Sequence, residues 1–481
     1  MHEAPDPQDR CEGTTKCKSN VKRRRLLRWA LRIVLVLVVL IWVIVGPWPA
    51  NNATFVDSDY EQRTLARLAS TKPLAARGTI LVGLAERDIT PAIGHPLAGM
   101  GKRAKGGYER IGSRCRAMAM TVQCADVSVT ILSADLLFIG RELAAAVLKQ
   151  SGVDAGQVYF TSTHTHSGPG AYERHLIAQP IMGRFEQCYF DELATALANC
   201  VTASRRNLVS AEMAAVTLNV PGRRRNRIDE SLAPHDQLAA LVFRESAPGA
   251  GQVLAILAVF GAHATIAAAD EKLLSADYPG AFARALRDRT GARLVMFAAG
   301  AVGDATAYRP NASTATQRAD LFGLMLADDL APALAAASYQ PQIDLASLRL
   351  SVELPPLRVP LSAGWRLSPI GTSWISDSKA HLHIVKIGPN VLVGFPGDYA
   401  GHLARDLTQW AAERDLTLVP TSFNGDYKGY LVSQPIFIHQ HCYETRAMNF
   451  FGPWCGQYLT EVSKRAIERM QAVASVRSTQ P

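Results

Sequence analysis

Two histidines, His164 and His166, are the residues of this sequence best placed by type and spacing to do chemistry. They lie in the run Val158-Tyr159-Phe160-Thr161-Ser162-Thr163-His164-Thr165-His166-Ser167-Gly168-Pro169-Gly170. The run opens on β-branched and aromatic residues, which favour a strand. It closes on Ser-Gly-Pro-Gly, which no strand interior accommodates. The spacing therefore predicts two imidazoles at a strand tip, on one face and roughly 7 Å apart, because side chains at i and i+2 of a strand share a face. Such a pair can bind one metal ion, or one ring can bind it while the other handles a proton. The bland alternative is two hydrogen-bonded surface histidines at a turn. A third histidine, His263, stands between Ala262 and Ala264 after a wholly apolar stretch. Alone there it would read as a satisfied core group; with a histidine pair elsewhere it reads as a partner ligand.

The elements that must position these residues recur three times as a hairpin, a helix and a further strand. In the first unit, strands at 117–124 and 127–133 end at Asp135, a helix covers 141–150, and the strand 157–161 ends at the histidine pair. In the second, 237–243 and 252–260 end at His263, a helix covers 279–289, and 293–298 ends at Gly303-Asp304-Ala305-Thr306. In the third, 382–387 and 391–395 end at Pro396-Gly397-Asp398, a helix covers 400–413, and 417–420 ends at Asn424-Gly425-Asp426-Tyr427. Ligands in α/β sheets bind beyond the carboxyl ends of strands, and these tips carry His, Asp, Thr and Tyr. Asp304 and Asp426 also suit turn capping. The period is too long and the similarity too weak for a solenoid.

The 481 residues, 48% hydrophobic and 19% charged, describe a foldable globular chain. The net charge of +9 is concentrated in the N-terminal tail and in Arg223-Arg224-Arg225-Asn226-Arg227. Nothing resembles a nucleic-acid module. Residues 1–25 form a basic tail ending in Lys22-Arg23-Arg24-Arg25, and 26–50 carry an apolar run long enough to cross a bilayer. The flanking arginines place the tail in the cytoplasm and the rest on the periplasmic or extracellular side of a single-pass anchor; a cleaved signal peptide is the competing reading. Residues 51–77 read as a linker or first short helix, and the globular part occupies 78–481. The expected fold is α/β, with mixed β-sheets flanked by helices in repeated hairpin–helix–strand units, preceded by one transmembrane helix. The eight cysteines include no CxxC pair, which argues against a zinc finger. In an exported chain Cys442 and Cys455 are the favoured pair for a disulfide.

Taken in series, several stretches resemble the catalytic domain of the neutral/alkaline non-lysosomal ceramidases. They are Asp88-Ile89-Thr90-Pro91, Leu97-Ala98-Gly99-Met100, Ser162-Thr163-His164-Thr165-His166-Ser167-Gly168-Pro169, Phe260-Gly261-Ala262-His263, Gly303-Asp304-Ala305-Thr306, Pro396-Gly397-Asp398, Asp426-Tyr427-Lys428-Gly429-Tyr430 and Tyr443-Glu444. The Thr-His-Thr-His-Ser-Gly-Pro run is the most specific. The resemblance implies a zinc-dependent amidase that splits the N-acyl bond of ceramide. It implies His164, His263, Asp398 and Tyr430 as zinc ligands, His166 beside the reacting water, Tyr443 facing the scissile carbonyl, Thr306 as a further catalytic position and Arg227 lining the entrance. The family usually has Glu where Asp398 stands and Ser where Thr306 stands, and its C-terminal β-sandwich is not expected within these residues. Two imidazoles with a carboxylate suit zinc better than magnesium or calcium, which prefer oxygen shells. The expected partners are a ceramide-like lipid and the membrane. The rival functions are a metal-dependent hydrolase of another amide, ester or phosphoester, and a non-catalytic lipid-binding relative.

Overall fold

The structure is a computed structural model that describes residues 9–478 except 51, 177, 248–250, 271, 363 and 374–377. The chain divides into two units, Met1–Asn51 with Pro356–Asp377, and Asn52–Pro355 with Ser378–Pro481.

The larger unit is organised by one 12-stranded mixed sheet. In chain order its strands are β1 (Leu74–Asp88), β2 (Arg116–Cys124), β3 (Val127–Ala134), β4 (Val158–Ser162), β5 (Val209–Asn219), β6 (Gln237–Glu245), β7 (Val253–Phe260), β8 (Leu294–Ala299), β9 (Gln342–Glu353), β10 (Lys379–Ile387), β11 (Asn390–Gly394) and β12 (Thr417–Thr421). β1 joins the parts, pairing with β9 through its first residues and with β2 and β5 further on. Each expected unit forms. An antiparallel hairpin (β2–β3, β6–β7, β10–β11) is followed by a helix, Arg141–Ser151, Asp277–Thr290 or Gly401–Ala412, and by a strand parallel to the second hairpin strand. A parallel strand needs a crossover, and a helix supplies it. β7 is buried on both faces from Leu254 to Phe260, which is why it reads as an unbroken apolar run rather than an alternating one. Each Leu, Ile or Phe so buried contributes about 1.5–3 kcal/mol.

The three parallel pairs meet at their carboxyl ends. The Ser133 hydroxyl donates to the Phe297 carbonyl (2.6 Å), the Asn424 amide to the Phe160 carbonyl (2.7 Å), and the Ser422 hydroxyl to the Gly300 carbonyl (2.7 Å). These buried bonds tie unit to unit at the strand ends that precede the chemically interesting residues.

In the smaller unit, one helix runs Asp9–Ile44, and its part Arg23–Ile44 is long enough and contains an 18-residue stretch apolar enough, with a mean hydropathy of 2.5, to cross a membrane. The helix ends at Ile44, short of residue 50. The chain then forms a short strand, Trp48–Pro49, paired antiparallel with Trp365–Arg366. The stretch read as a linker carries a helix, Asp59–Ser70, capped by the Ser58 hydroxyl. Cys442 and Cys455 do not form the expected disulfide; both are free thiols, Cys455 fully buried. The arginines of the 223–227 cluster have separate surroundings, with Arg225 exposed beside Glu230. Arg224 is buried against the Gly261 carbonyl, Arg223 pairs with Asp329 at 2.7 Å, and Arg227 faces a cavity.

Candidate metal centre

The strand β4 ends at Ser162, two residues before the first histidine of the pair. His164 has φ 58, in the left-handed region, so strand periodicity does not set the directions of His164 and His166. A non-glycine residue held there is uncommon and costs strain; here the turn brings the two rings to 4.7 Å between centroids. Backbone bridges join the tips: Thr165 pairs with Ala264 and His263 with Thr306, while the His166 amide donates to the Ala264 carbonyl at 3.0 Å. On the third unit, the short strands Asp398–Tyr399 and Tyr430–Leu431 run parallel with Asp398 opposite Tyr430. Residues far apart in sequence thereby share one wall.

Each of the three histidines gives its Nδ1–H to a backbone carbonyl. His164 donates to Leu137 (2.7 Å), His166 to Gly99 (3.1 Å) and His263 to Ala305 (3.1 Å). This fixes the tautomer and leaves all three Nε2 lone pairs turned inward, the usual outer support of a metal-ligating histidine. The Nε2 atoms of His164 and His166 stand 3.2 Å apart, two acceptors with no proton between them. Asp398 Oδ1 lies 3.3 Å from His263 Nε2 and 3.6 Å from His164 Nε2, is buried, and has no hydrogen-bond partner among the described residues. The Tyr430 hydroxyl oxygen is 3.1 Å from His263 Nε2 and accepts from Arg227 at 2.8 Å. Donors sharing a tetrahedral zinc with bonds of about 2.0–2.1 Å lie about 3.3 Å from one another, so the donor set fits such an ion. His164, His166 and His263 form the group best able to hold a metal among the described residues.

Burial pushes His164 and His263 well below the usual imidazole range and His166 down to about 4. The rings are thus neutral near pH 7, the state that binds metals. Burial raises the Asp398 carboxyl, and His164, the Tyr427 hydroxyl and Arg227 offset part of that. Burial likewise raises the Tyr430 phenol, with Arg227 acting against it.

The cavity around these groups measures about 290 Å³. Tyr443, half exposed, stands at its mouth with its ring 5.9 Å from that of Tyr430. Arg227 lines the cavity as expected and is paired with Glu444 at 2.8 Å. Thr306, expected among the catalytic groups, is not among the residues that line the cavity; its backbone pairs with His263 on one side and Arg225 on the other. Two lining residues had no role from sequence. The Tyr427 hydroxyl donates to Asp398 Oδ2 at 2.9 Å, and Glu444 braces Arg227. Gly99 also has a reason: at φ +100 it presses against His166, and a Cβ would lie 2.6 Å from that ring's Nδ1.

Asp304 serves the architecture. Its carboxylate accepts from the amides of Gly401 (2.7 Å) and His402 (3.1 Å) and from His402 Nδ1 (2.9 Å), capping the helix that follows Asp398. A carboxylate at a helix N-terminus satisfies orphan amides and the helix dipole. Burial raises its pKa, but the bonds and charges of His402, the Gly401 amide and Arg224 outweigh this and hold it at about 2. A group depressed in this way stabilises the fold fully above about pH 4, its unfolded range, and the contribution drains away as pH falls towards 2. Asp304→Ala is expected to cost about 1–3 kcal/mol at pH 7, with the gap to wild type narrowing through that acid window; urea unfolding across pH measures it.

Similarity to known proteins agrees with this architecture. Residues 80–308 match the family model of the neutral/alkaline non-lysosomal ceramidases, N-terminal part. The resemblance read from the sequence motifs is therefore borne out. A crystal structure of neutral ceramidase from Pseudomonas aeruginosa superposes with a TM-score of 0.67 at 17% identity, covering 82% of this chain and 75% of that one. A ceramidase complexed with C2 superposes equally well, at 17% identity over 82% of this chain and 76% of that one. At this identity the likeness establishes a shared ceramidase fold. No curated protein matches in sequence.

Proposed function

We propose that this chain is a membrane-anchored, zinc-dependent amidohydrolase that cleaves the N-acyl bond of ceramide or a related N-acyl lipid into a fatty acid and an amine. The observation that carries the metal reading is the inward convergence of the Nε2 lone pairs of His164, His166 and His263, two of them beside a buried Asp398 oxygen that has no hydrogen-bond partner among the described residues. The family match supports a hydrolase and a ceramide-like substrate.

His164, His263, Asp398 and Tyr430 would hold the ion. Zinc, when bound, supplies Lewis-acid polarisation and lowers the pKa of water to about 7. His166, which touches His164 but has no close contact with Asp398 or Tyr430 among the described bonds, is left to take the proton of the attacking water at Nε2. The water oxygen then bonds the acyl carbon, the C–N bond breaks, and His166 returns the proton to the leaving nitrogen. The Tyr443 phenol, raised above its ordinary pKa by burial, stays protonated and faces the developing oxyanion as a donor. Arg227 holds the Tyr430 oxygen and is itself held by Glu444.

The cavity is at the small end of the usual ~300–1,000 Å³ range. It suits the amide and polar head of a lipid, with Leu137, Phe138, Ile181 and Met448 offering apolar wall, and leaves long chains to extend outward. Hydrolysis of N-acylsphingosines against short soluble amides, esters and phosphoesters by the purified chain tests the reading. Preference for the N-acyl lipid supports it; turnover of the soluble compounds alone transfers the site to another substrate. Tyr427→Phe removes the only bond to Asp398 Oδ2 among those described and is expected to cost about 10–100-fold in activity or metal affinity, measurable by metal titration and rate together.

A further inference from the structure

The apolar helix does not end in open chain. Its last carbonyls, of Ile44 and Val45, accept from the side chain and amide of Ser368, the latter at 2.9 Å. Gly371 packs against the same end so closely that a Cβ would lie 2.5 Å from the Ile44 oxygen. Beyond the helix, Trp48 stacks on Trp42 at 5.4 Å and donates its Nε1–H to the Trp42 carbonyl. Trp48–Pro49 then adds a strand to Trp365–Arg366, which pairs in turn with Pro360–Ser362, and the Ala50 amide donates to Gly364 at 2.8 Å. Residues 356–373, some 300 positions away in the chain, are thus built onto the helix exit.

That small assembly shows an apolar exterior. Leu361, Trp365 and Ile370 are 49%, 46% and 45% exposed, beside exposed Trp42 and Val45. Within 356–377 the charged residues are Arg358, Arg366 and Asp377. Tryptophan, arginine and aliphatic side chains are what a membrane–water interface selects. The 22-residue segment Arg23–Ile44 is about 33 Å long as a helix and so spans a hydrocarbon core of about 30 Å, which puts its exit end at the headgroups.

We infer that residues 356–373, with the exit end of the apolar helix, form a foot that seats in the headgroup interface of the bilayer the helix crosses, with Leu361, Trp365 and Ile370 as its lipid contacts. The inference rests on the membrane-anchored reading and adds to it. It also implies a retained helix, because cleavage near residue 50 would strip this foot of its strand partner and the helix end it caps.

The test uses the full chain in phosphatidylcholine vesicles with a minority of phosphatidylglycerol, doped with a photoactivatable phosphatidylcholine reactive near the glycerol backbone. Adducts are mapped by mass spectrometry. The expected result is adducts on peptides from 356–373 as well as from the helix. Leu361→Ser with Trp365→Ser and Ile370→Ser should abolish the former and leave the latter unchanged. Gly371→Val, which disrupts the helix-end contact without touching an exposed apolar side chain, should also lower the 356–373 adducts. Helix adducts with none on 356–373 in the wild type overturn the foot and leave the anchor standing. A mature chain that starts after residue 50, with no adducts, overturns both.

Discussion

His263→Ala is expected to abolish hydrolysis and to remove the metal that the proposed site would hold. Of the three histidines His263 is nearest to both oxygen donors, 3.3 Å from Asp398 Oδ1 and 3.1 Å from the Tyr430 oxygen through Nε2. It is 1% exposed, so its removal leaves a cavity no other described donor fills. Metal assistance is worth several kcal/mol of charge stabilisation, which is about a thousandfold or more in rate. Metal content by mass spectrometry and the rate on N-acylsphingosine are expected to fall together. Removing a fully buried ring and the ion it would hold also lowers stability, so the thermal transition is measured alongside and the comparison is made below it, where the variant is folded. A variant that keeps its metal and its rate removes His263 from the site.

His166→Asn is expected to separate metal binding from the chemistry. His166 sits one residue beyond Thr165 and donates to Gly99, outside the contacts that Asp398 and Tyr430 make with His263 and His164. Its replacement is expected to leave the metal bound while the rate drops about 10²–10⁴-fold, the usual contribution of a positioned general acid–base group. A fall in metal content equal to that of His263→Ala would instead make His166 a ligand, which its 3.2 Å approach to His164 Nε2 also permits. Rate and metal measured on the same preparation decide between these.

Much of this was legible in the sequence, for identifiable reasons. Long apolar strands such as Val253–Phe260 and amphipathic helices such as Arg141–Ser151 carry their period in the residues themselves, so all three hairpin–helix–strand units could be read, with small differences at their ends. The tips were legible because polar residues that follow an apolar strand stand out. What the sequence could not supply was anything set by contact between units. The left-handed backbone of His164 has no local signature; it stands next to the bridge from Thr165 to Ala264, a contact between units. Tyr427 stood in a recognised turn, but its bond to Asp398 depends on two short strands meeting in register. Thr306 was expected in the site because the family resemblance places a hydroxyl there; its backbone pairs with Arg225 and His263, a contact between units that the sequence does not show. The Cys442–Cys455 pair was proposed from an irregular stretch, yet Cys455 begins a buried helix and is closed into the core. The smaller unit was read only in its helix because its second segment, Pro356–Asp377, carries no periodic pattern that marks a new element.

The shorter side chain at Asp398 also finds its place. Where the family resemblance implies a glutamate, the aspartate sits on a two-residue strand opposite Tyr430, fully buried and held by Tyr427. Asp398→Glu is therefore expected to lose activity: an extra methylene in a close-packed site costs about 1–3 kcal/mol, and the Tyr427 bond is displaced. Steady-state rates with a metal assay check this.

The most direct measurement is zinc content of the full chain purified without chelator, paired with N-acylsphingosine hydrolysis before chelation, after it, and after zinc is restored. Near-stoichiometric zinc, with hydrolysis lost on chelation and recovered on re-addition, is the predicted result. Hydrolysis that persists in folded, zinc-free protein, or folded protein that neither binds zinc nor cleaves an N-acyl lipid, contradicts the account.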